Sequence, residues 1–394
     1  MKKKILVVGP SMQLGGVERS LIGLLDAFDY DKVDVDLFLY AYGGELMSSI
    51  NENVRLLPEI KLFVDFFKSK DKLLEEKRYF SLLLKVVSKI IQKIHKKRGC
   101  GEDSKDTFLK ITANLIKFNS EKYDAALGFI DPFFFIEKKV NAKVKIGWAH
   151  TDWNTLCKRG SYIPAPGVWK SLDYVACVSE DIKTSFDELY PQYSEKSVVV
   201  ENILPAEYVK KLADQFTVKE EMPDSVFKIL SVGRFSPQKN YLETIRAAKI
   251  LHDEGYLFKL YFVGYGTQEE KMRNLIAELG AEDYVIILGK KENPYPYMKA
   301  CDLYIQPSKY EGKAVTVREA QTLARPVMIT RFPSSGSQLT DGLDGYICEQ
   351  GVEGIAEGMK YMMNHPELRK KLSDNCAVGD FSGQSEMSKI MNLL

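Results

Sequence analysis

Short apolar runs alternate along the chain with segments whose apolar residues recur at helical spacing. Residues 5–9 (Ile-Leu-Val-Val-Gly) follow a lysine and precede a proline, the pattern of a buried strand. Val17, Leu21, Leu24, Leu25 and Phe28 then repeat at helical spacing over 15–28, and 33–40 alternates as a strand. Further strands are predicted at 123–129, 144–148, 174–178 and 197–200, with helical patterns at 165–171 and 180–189. A second series begins near Lys228: strands at 227–232, 258–263, 285–288, 303–306 and 327–330, with helices at 237–254, 267–280, 294–301 and 313–323 between them. Alternation this regular predicts parallel sheets covered by helices on both faces, and two series predict two doubly wound α/β domains. The polar stretch 201–226, with Pro205 and Pro223, reads as the linker, and 352–394 as a helical tail.

Residues 61–98 break the alternation. They hold 12 Lys/Arg and 4 Asp/Glu, a local charge of 12 − 4 = +8. Leu83, Leu84, Val87, Ile90, Ile91 and Ile94 share one helical face, and Lys85, Lys89, Lys93, Lys96 and Lys97 the other. Such a helix, with Phe63, Phe66 and Phe67 upstream, suits an anionic lipid interface; it equally suits a helix packed on the sheet with a solvated lysine face.

Composition narrows the function classes. The 394 residues carry 55 Lys+Arg against 54 Asp+Glu, so no global charge points to nucleic acid. Six scattered cysteines without C-x-x-C signal neither zinc nor a disulfide framework and fit a reducing compartment. The first apolar run is too short for a signal peptide, and no stretch reaches the ~18 apolar residues of a spanning helix. A cytoplasmic protein is expected, with contact at the inner face of the membrane left open.

Four loops at predicted strand ends carry candidate chemistry, since ligands of open parallel sheets bind there. The first, residues 9–18, has Gly15 and Gly16 before a helix; backbone this open lets N–H groups approach a phosphate, and a purely structural turn fits it as well. The second, residues 231–240, sets Ser236 as N-cap and Pro237 as first helical residue, with Arg234 and Lys239 at the positive end of the dipole. Cations there are unfavourable by about a few tenths of a kcal/mol unless an anion joins them, which suggests a diphosphate site. The third turns at Gly264. The fourth, residues 307–320, has Glu311 just outside a helix and Glu319 within it. Eight residues of helix span roughly 12 Å, about the separation of sugar and ribose in a nucleotide-sugar, with the amides of Gly312, Lys313, Ala314 and Val315 between them.

With Val232-Gly233-Arg234 running on to Lys239-Asn240, and with the E-x7-E motif from Glu311 to Glu319, the chain resembles family four of the retaining glycosyltransferases. The resemblance spans essentially its whole length. It implies the GT-B fold, two Rossmann-like domains facing a cleft: 1–204 binding the acceptor, 205–379 binding the nucleotide-sugar, and 380–394 packing back on the first. It further implies that Arg234 and Lys239 neutralise the diphosphate, Glu311 holds the donor sugar and Glu319 the ribose. Gly15 and Gly16 would close over the phosphates, and residues 288–291 (Leu288, Lys290, Lys291) would border the base. His150, just after a predicted strand, matches the histidine that lines the sugar pocket in this family. Lys313 stands where many members carry Pro or Phe, and Leu323-Ala324-Arg325-Pro326 also departs from the common pattern.

No nucleophile with an activating base is evident, so the resemblance implies front-face transfer in which the departing phosphate takes the acceptor proton. Asp34-x-Asp36 alternates with Val33, Val35 and Leu37 and reads as the solvent face of a strand, not a metal motif. No metal and no cofactor are expected beyond the nucleotide-sugar, a UDP-sugar first, with a lipid-linked or saccharide acceptor. The local pattern around Glu311 resembles enzymes building capsular, exopolysaccharide or lipopolysaccharide repeats. A sugar-nucleotide epimerase on the same fold, and a non-catalytic nucleotide-sugar-binding protein, are the alternatives.

Overall fold

The computed structural model describes residues 2–97, 104–130, 133–151 and 167–394. The chain divides into two units, Met1–Ile203 with Gln384–Leu394, and Leu204–Gly383.

The first unit is built on seven parallel strands: β1 (Lys3–Gly9), β2 (Val33–Leu39), β3 (Arg55–Leu56), β4 (Lys122–Gly128), β5 (Asn141–Ala149), β6 (Tyr174–Cys177) and β7 (Ser197–Val199). Their order is β3-β2-β1-β4-β5-β6-β7. In central β1, Ile5 pairs with Val35 on one side and Ala125 on the other, and Ile5 through Val8 are buried. A parallel sheet must be covered on both faces, which is why this strand reads as an unbroken apolar run.

That covering corrects the reading of the Asp34-x-Asp36 pair. Asp34 is exposed, but Asp36 is buried, its carboxylate taking Arg55 Nε and Nη2 at 2.7 and 2.6 Å and the Tyr123 hydroxyl at 2.8 Å. A bidentate guanidinium plus a phenol offsets the desolvation of that charge. Among the described residues no group of three or more His, Cys, Asp or Glu is placed to hold a metal.

Residues 61–98 contribute three helices, Lys61–Phe67, Lys70–Glu75 and Tyr79–Lys97; residue 98 lies outside the described residues.

The second unit has six parallel strands: β8 (Phe227–Val232), β9 (Phe258–Val263), β10 (Val285–Gly289), β11 (Leu303–Gln306), β12 (Val327–Thr330) and β13 (Tyr346–Cys348), ordered β10-β9-β8-β11-β12-β13. Two expectations change here. Residues 201–226 are not a free linker: a helix Ala206–Ala213 forms, and Val209, Ala213, Val218 and Met222 are buried in the core of this unit. The polar composition misleads because only one face of the helix is apolar. The second change lies at the end of the tail. Residues 380–383 stay with the second unit, because Ser382 O accepts from the Leu204 amide and Phe381 O from Arg318 Nε. Only the helix Glu386–Leu393 joins the first unit, burying Met387 and Ile390 in its core while Glu386 Oε2 accepts from the Glu201 amide at 3.0 Å.

Candidate functional site

Three loops meet at the C-terminal ends of β8, β9 and β10, tied by main-chain hydrogen bonds. Gly233 N donates to Val263 O, Phe235 N to Tyr265 O, Gln268 N to Phe235 O, and Gly264 N to Gly289 O. Gly264 has φ +152°, and a Cβ there would stand 1.9 Å from Gly233 O. Only glycine allows the two loops to approach so closely.

The α-helix after β8 begins later than the sequence suggests. Pro237–Lys239 forms a 3₁₀ turn, Asn240 is left-handed at φ +61°, and the α-helix runs Tyr241–Asp253. Ser236 makes no side-chain cap. Arg234 and Lys239 therefore do not flank the first turn of an α-helix, and the dipole argument for an anion between them falls.

Lys239 has a nearer partner. Its Nζ lies 2.7 Å from Glu311 Oε1, both side chains largely buried. Ser308 Oγ donates to the same oxygen at 2.5 Å and Gln306 Nε2 at 3.1 Å, while Gln238 Nε2 reaches Oε2 at 3.2 Å. Ser334 Oγ donates to the Glu311 carbonyl at 2.8 Å, so the main chain is fixed as well. Gln306 is fully buried, its own Oε1 accepting from the Tyr304 hydroxyl at 3.0 Å and Thr316 Oγ1 at 3.1 Å. Buried polar networks satisfied this fully hold one geometry. Arg234 stands apart: it is exposed, and no hydrogen bond or ion pair engages it among the described residues.

The E-x7-E segment is not continuous helix. The helix is Val315–Thr322 with Ala314 as N-cap, so the rise of eight helical residues does not measure the Glu311-to-Glu319 separation. Gln338 holds the entry: its Oε1 accepts from Ala314 N at 2.6 Å, and its Nε2 donates to Ala314 O at 3.3 Å. The Ala314 amide is thus already satisfied, and the expectation that it serves a phosphate is corrected. Gly312 and Lys313 precede it, and Val315 opens the first turn, where helix geometry leaves N–H groups without intrahelical acceptors. Glu319 is fully buried, with the Tyr295 hydroxyl donating to its Oε1 at 2.9 Å.

Leu288 lies in β10 and packs on the unit's core. Lys290 Nζ sits 5.2 Å from the Tyr265 ring centre. Lys291 is engaged by Glu221 at 2.6 Å and lies over the Tyr297 ring, so it is tied down more firmly than its sequence position suggests.

In the first unit, His150 follows β5. Its Nε2 is 3.0 Å from Phe129 O, and a carbonyl only accepts, so Nε2 carries the proton and Nδ1 is the acceptor. Desolvation pushes its pKa down to about 4 against that hydrogen bond, leaving the ring neutral near pH 7. Gly15 caps the helix Gly16–Ala27, whose first turn includes Glu18. A Cβ on Gly15 would come 2.1 Å from Glu18 Oε2. That carboxylate occupies the approach expected for phosphates, and an anion arriving there requires Glu18 to turn away.

Gln238, Gln306, Ser308, Tyr295, Ser334 and Gln338 were not singled out from sequence, yet they fix both glutamates and the loop between them. Gln306 and Ser308 lie just upstream of Glu311; a glutamine ending an otherwise apolar strand, with a serine two residues on, was the available signal.

Residues 213–377 match the family described as Glycosyl transferases group 1, and this segment contains every site residue named in the second unit. The chain is 26% identical over 60% of its length to an uncharacterized glycosyltransferase of Haemophilus influenzae. It is 24% identical over 57% to LpsD, a lipopolysaccharide core biosynthesis glycosyltransferase of Rhizobium meliloti. It is also 29% identical over 48% to a Campylobacter jejuni 4-alpha-N-acetylgalactosaminyltransferase named for a diphospho-undecaprenol substrate. These matches span 65%, 63% and 51% of the relatives' own lengths. Among solved structures, Anabaena HepE in complex with UDP aligns over the whole of both chains with TM-score 0.66 at 15% identity. That likeness fixes the fold as GT-B.

Proposed function

We propose that this chain is a retaining, metal-independent glycosyltransferase. It moves a sugar from a nucleotide-sugar, a UDP-sugar first, to a lipid-linked or saccharide acceptor in bacterial cell-surface polysaccharide synthesis. One observation carries this reading: Glu311 is held rigidly by Lys239, Gln306, Ser308 and Gln238 at the strand ends where exposed Arg234 stands unengaged among the described residues. The group 1 match across this segment supports it, as do the lipopolysaccharide and diphospho-undecaprenol relatives for the acceptor class and the UDP-bound neighbour for the nucleotide.

Glu311 Oε1 is taken up by three donors, while Oε2 is met by Gln238 alone and keeps a lone pair for a sugar hydroxyl. Lys239 uses one of three ammonium donors on Glu311, which leaves others for a phosphate oxygen. Arg234 supplies a planar fork to the same diphosphate as it gains charge on departure. Glu319, buried and pinned by Tyr295, has to be uncovered before it takes the ribose, and neutral His150 keeps Nδ1 as an acceptor on the first unit.

The test is a panel of UDP-, GDP- and dTDP-sugars assayed in EDTA for transfer to saccharide and polyprenyl-diphosphate acceptors, and for slow donor hydrolysis. Wild type is expected to turn over one donor, and Glu311→Ala to lose about 100-fold or more while keeping its circular dichroism. Undiminished turnover by Glu311→Ala would refute the role given to that carboxylate. Interconversion of one nucleotide-sugar into another, without an acceptor and without release of the nucleotide, would identify an epimerase instead.

A further inference from the structure

The helix Tyr79–Lys97 is mounted with its apolar side outward. The side facing the protein carries Ser81, Leu84 and Ser88, all buried. Ser81 Oγ and Arg78 Nε both donate to Asp65 Oδ2, a carboxylate buried in the helix Lys61–Phe67, and Ser88 Oγ turns back to Leu84 O at 2.7 Å. Lys85 Nζ also points inward, donating to Lys68 O. These polar contacts fix the rotation of the helix: turning the other face in would strand a buried Asp65 without its partners.

The outward side holds Phe80, Leu83, Val86, Ile90 and Ile94, each between 43% and 56% exposed. At the angular step of an α-helix these five fall within an arc of about 120°. Phe67 and Leu74 of the two preceding helices are exposed to a similar degree. A surface helix of a folded domain normally turns such a stripe to the core, and contiguous apolar exposure marks a contact surface.

Charge chooses the occupant. The helix Tyr79–Lys97 has five lysines and no acidic residue, within a segment of net charge +8. Exposed Lys89 and Lys93 border the stripe on the side of Val86. A second copy of this chain stacked stripe on stripe would set two segments of net charge +8 against each other, a like-charge contact. An anionic bilayer surface accepts both features at once: apolar side chains enter the headgroup boundary while ammonium groups stay at the phosphates.

We infer that Phe80, Leu83, Val86, Ile90 and Ile94, with Lys89 and Lys93 at their edge, form a docking face that lies in the interface of an anionic membrane. This rests on the first unit alone and is independent of the glycosyl-transfer reading. No helix among the described residues is long and apolar enough to cross a membrane, so the contact considered is one of lying on it.

The full chain is floated on a density gradient with vesicles of phosphatidylcholine, or of phosphatidylcholine and phosphatidylglycerol in equal parts. Wild type is expected to float with the anionic vesicles only, and less so as salt is raised. Leu83→Glu/Ile90→Glu and Lys89→Glu/Lys93→Glu, both at exposed positions, are each expected to cut the vesicle-bound fraction about ten-fold or more, with unchanged melting temperatures. Wild type failing to float with anionic vesicles would overturn the inference, as would L83E/I90E floating normally. So would a concentration-dependent dimer in size exclusion that L83E/I90E abolishes, which would make the occupant another copy of the chain.

Discussion

At the scale of single residues, the fold orients the polar groups that matter through their buried partners. His150 allows a test that needs no substrate. An imidazole with an ordinary pKa of ~6.5 is pushed down to about 4 here, so between those values the unfolded chain binds a proton that the folded one refuses. Stability therefore rises with pH across that window and is lost as pH falls through it, with a slope of at most about 1.4 kcal/mol per pH unit, less because the ring is part-exposed. His150→Gln, which retains a donor for Phe129 O, is expected to flatten this part of the stability profile in denaturant titrations from pH 7 to 4; an unchanged slope would mean the ring titrates normally. Glu311, Glu319, Arg234 and Lys239 were singled out from local spacing, but the helix geometry behind that spacing does not hold at either loop. What Lys239 touches was not legible, since its partner lies in a loop after another strand. Asp36 was misread for the related reason that a two-residue alternation does not reveal whether helices cover both faces.

At the scale of elements, five of the six strands of the second unit were readable nearly to the residue, because buried parallel strands are short apolar runs with sharp ends, while the three-residue edge strand β13 was missed. Helix starts were less so. Ser236-Pro237 has the composition of a cap, yet Asn240 takes the left-handed turn and delays the α-helix to Tyr241. The helix Ala206–Ala213 was hidden by the charged residues on its outer face. The loops after β8 and β9 also give a prediction of their own. Gly264→Ala forces a methyl against Gly233 O and is expected to cost about 1–3 kcal/mol, read as a lower melting temperature by circular dichroism. It should weaken donor binding too, since it parts the loop that carries Arg234; an unshifted melt would show that the loops tolerate separation. The outward stripe on the Tyr79–Lys97 helix follows the same logic. Helical spacing put Leu84 on one face with Leu83, Ile90 and Ile94, and the structure splits that face, Leu84 buried and the other three exposed, because Asp65 holds Ser81 and Arg78 on the inner side.

At the scale of the whole molecule, the chain leaves the first unit once and returns for its last eleven residues. The helix Glu386–Leu393 buries Ile390 in the first unit's core, so Ile390→Ala is expected to destabilise that unit by about 2–4 kcal/mol. All three tryptophans lie between residues 148 and 169, within the first unit, so their fluorescence in denaturant reads this change directly. An unchanged midpoint would mean the terminal helix is only loosely held. Two-domain organisation was visible in sequence as two series of strands, while the return of the tail came from the family resemblance and not from periodicity.

The central claim is that the strand ends of the second unit grip a nucleoside diphosphate through Arg234. Calorimetric titration of UDP, GDP and dTDP into the full chain and into Arg234→Ala tests it most directly. One nucleotide, UDP first, is expected to bind the wild type, with Arg234→Ala weakening it about ten-fold or more. Absence of binding by all three, or equal affinity in the variant, would contradict the account.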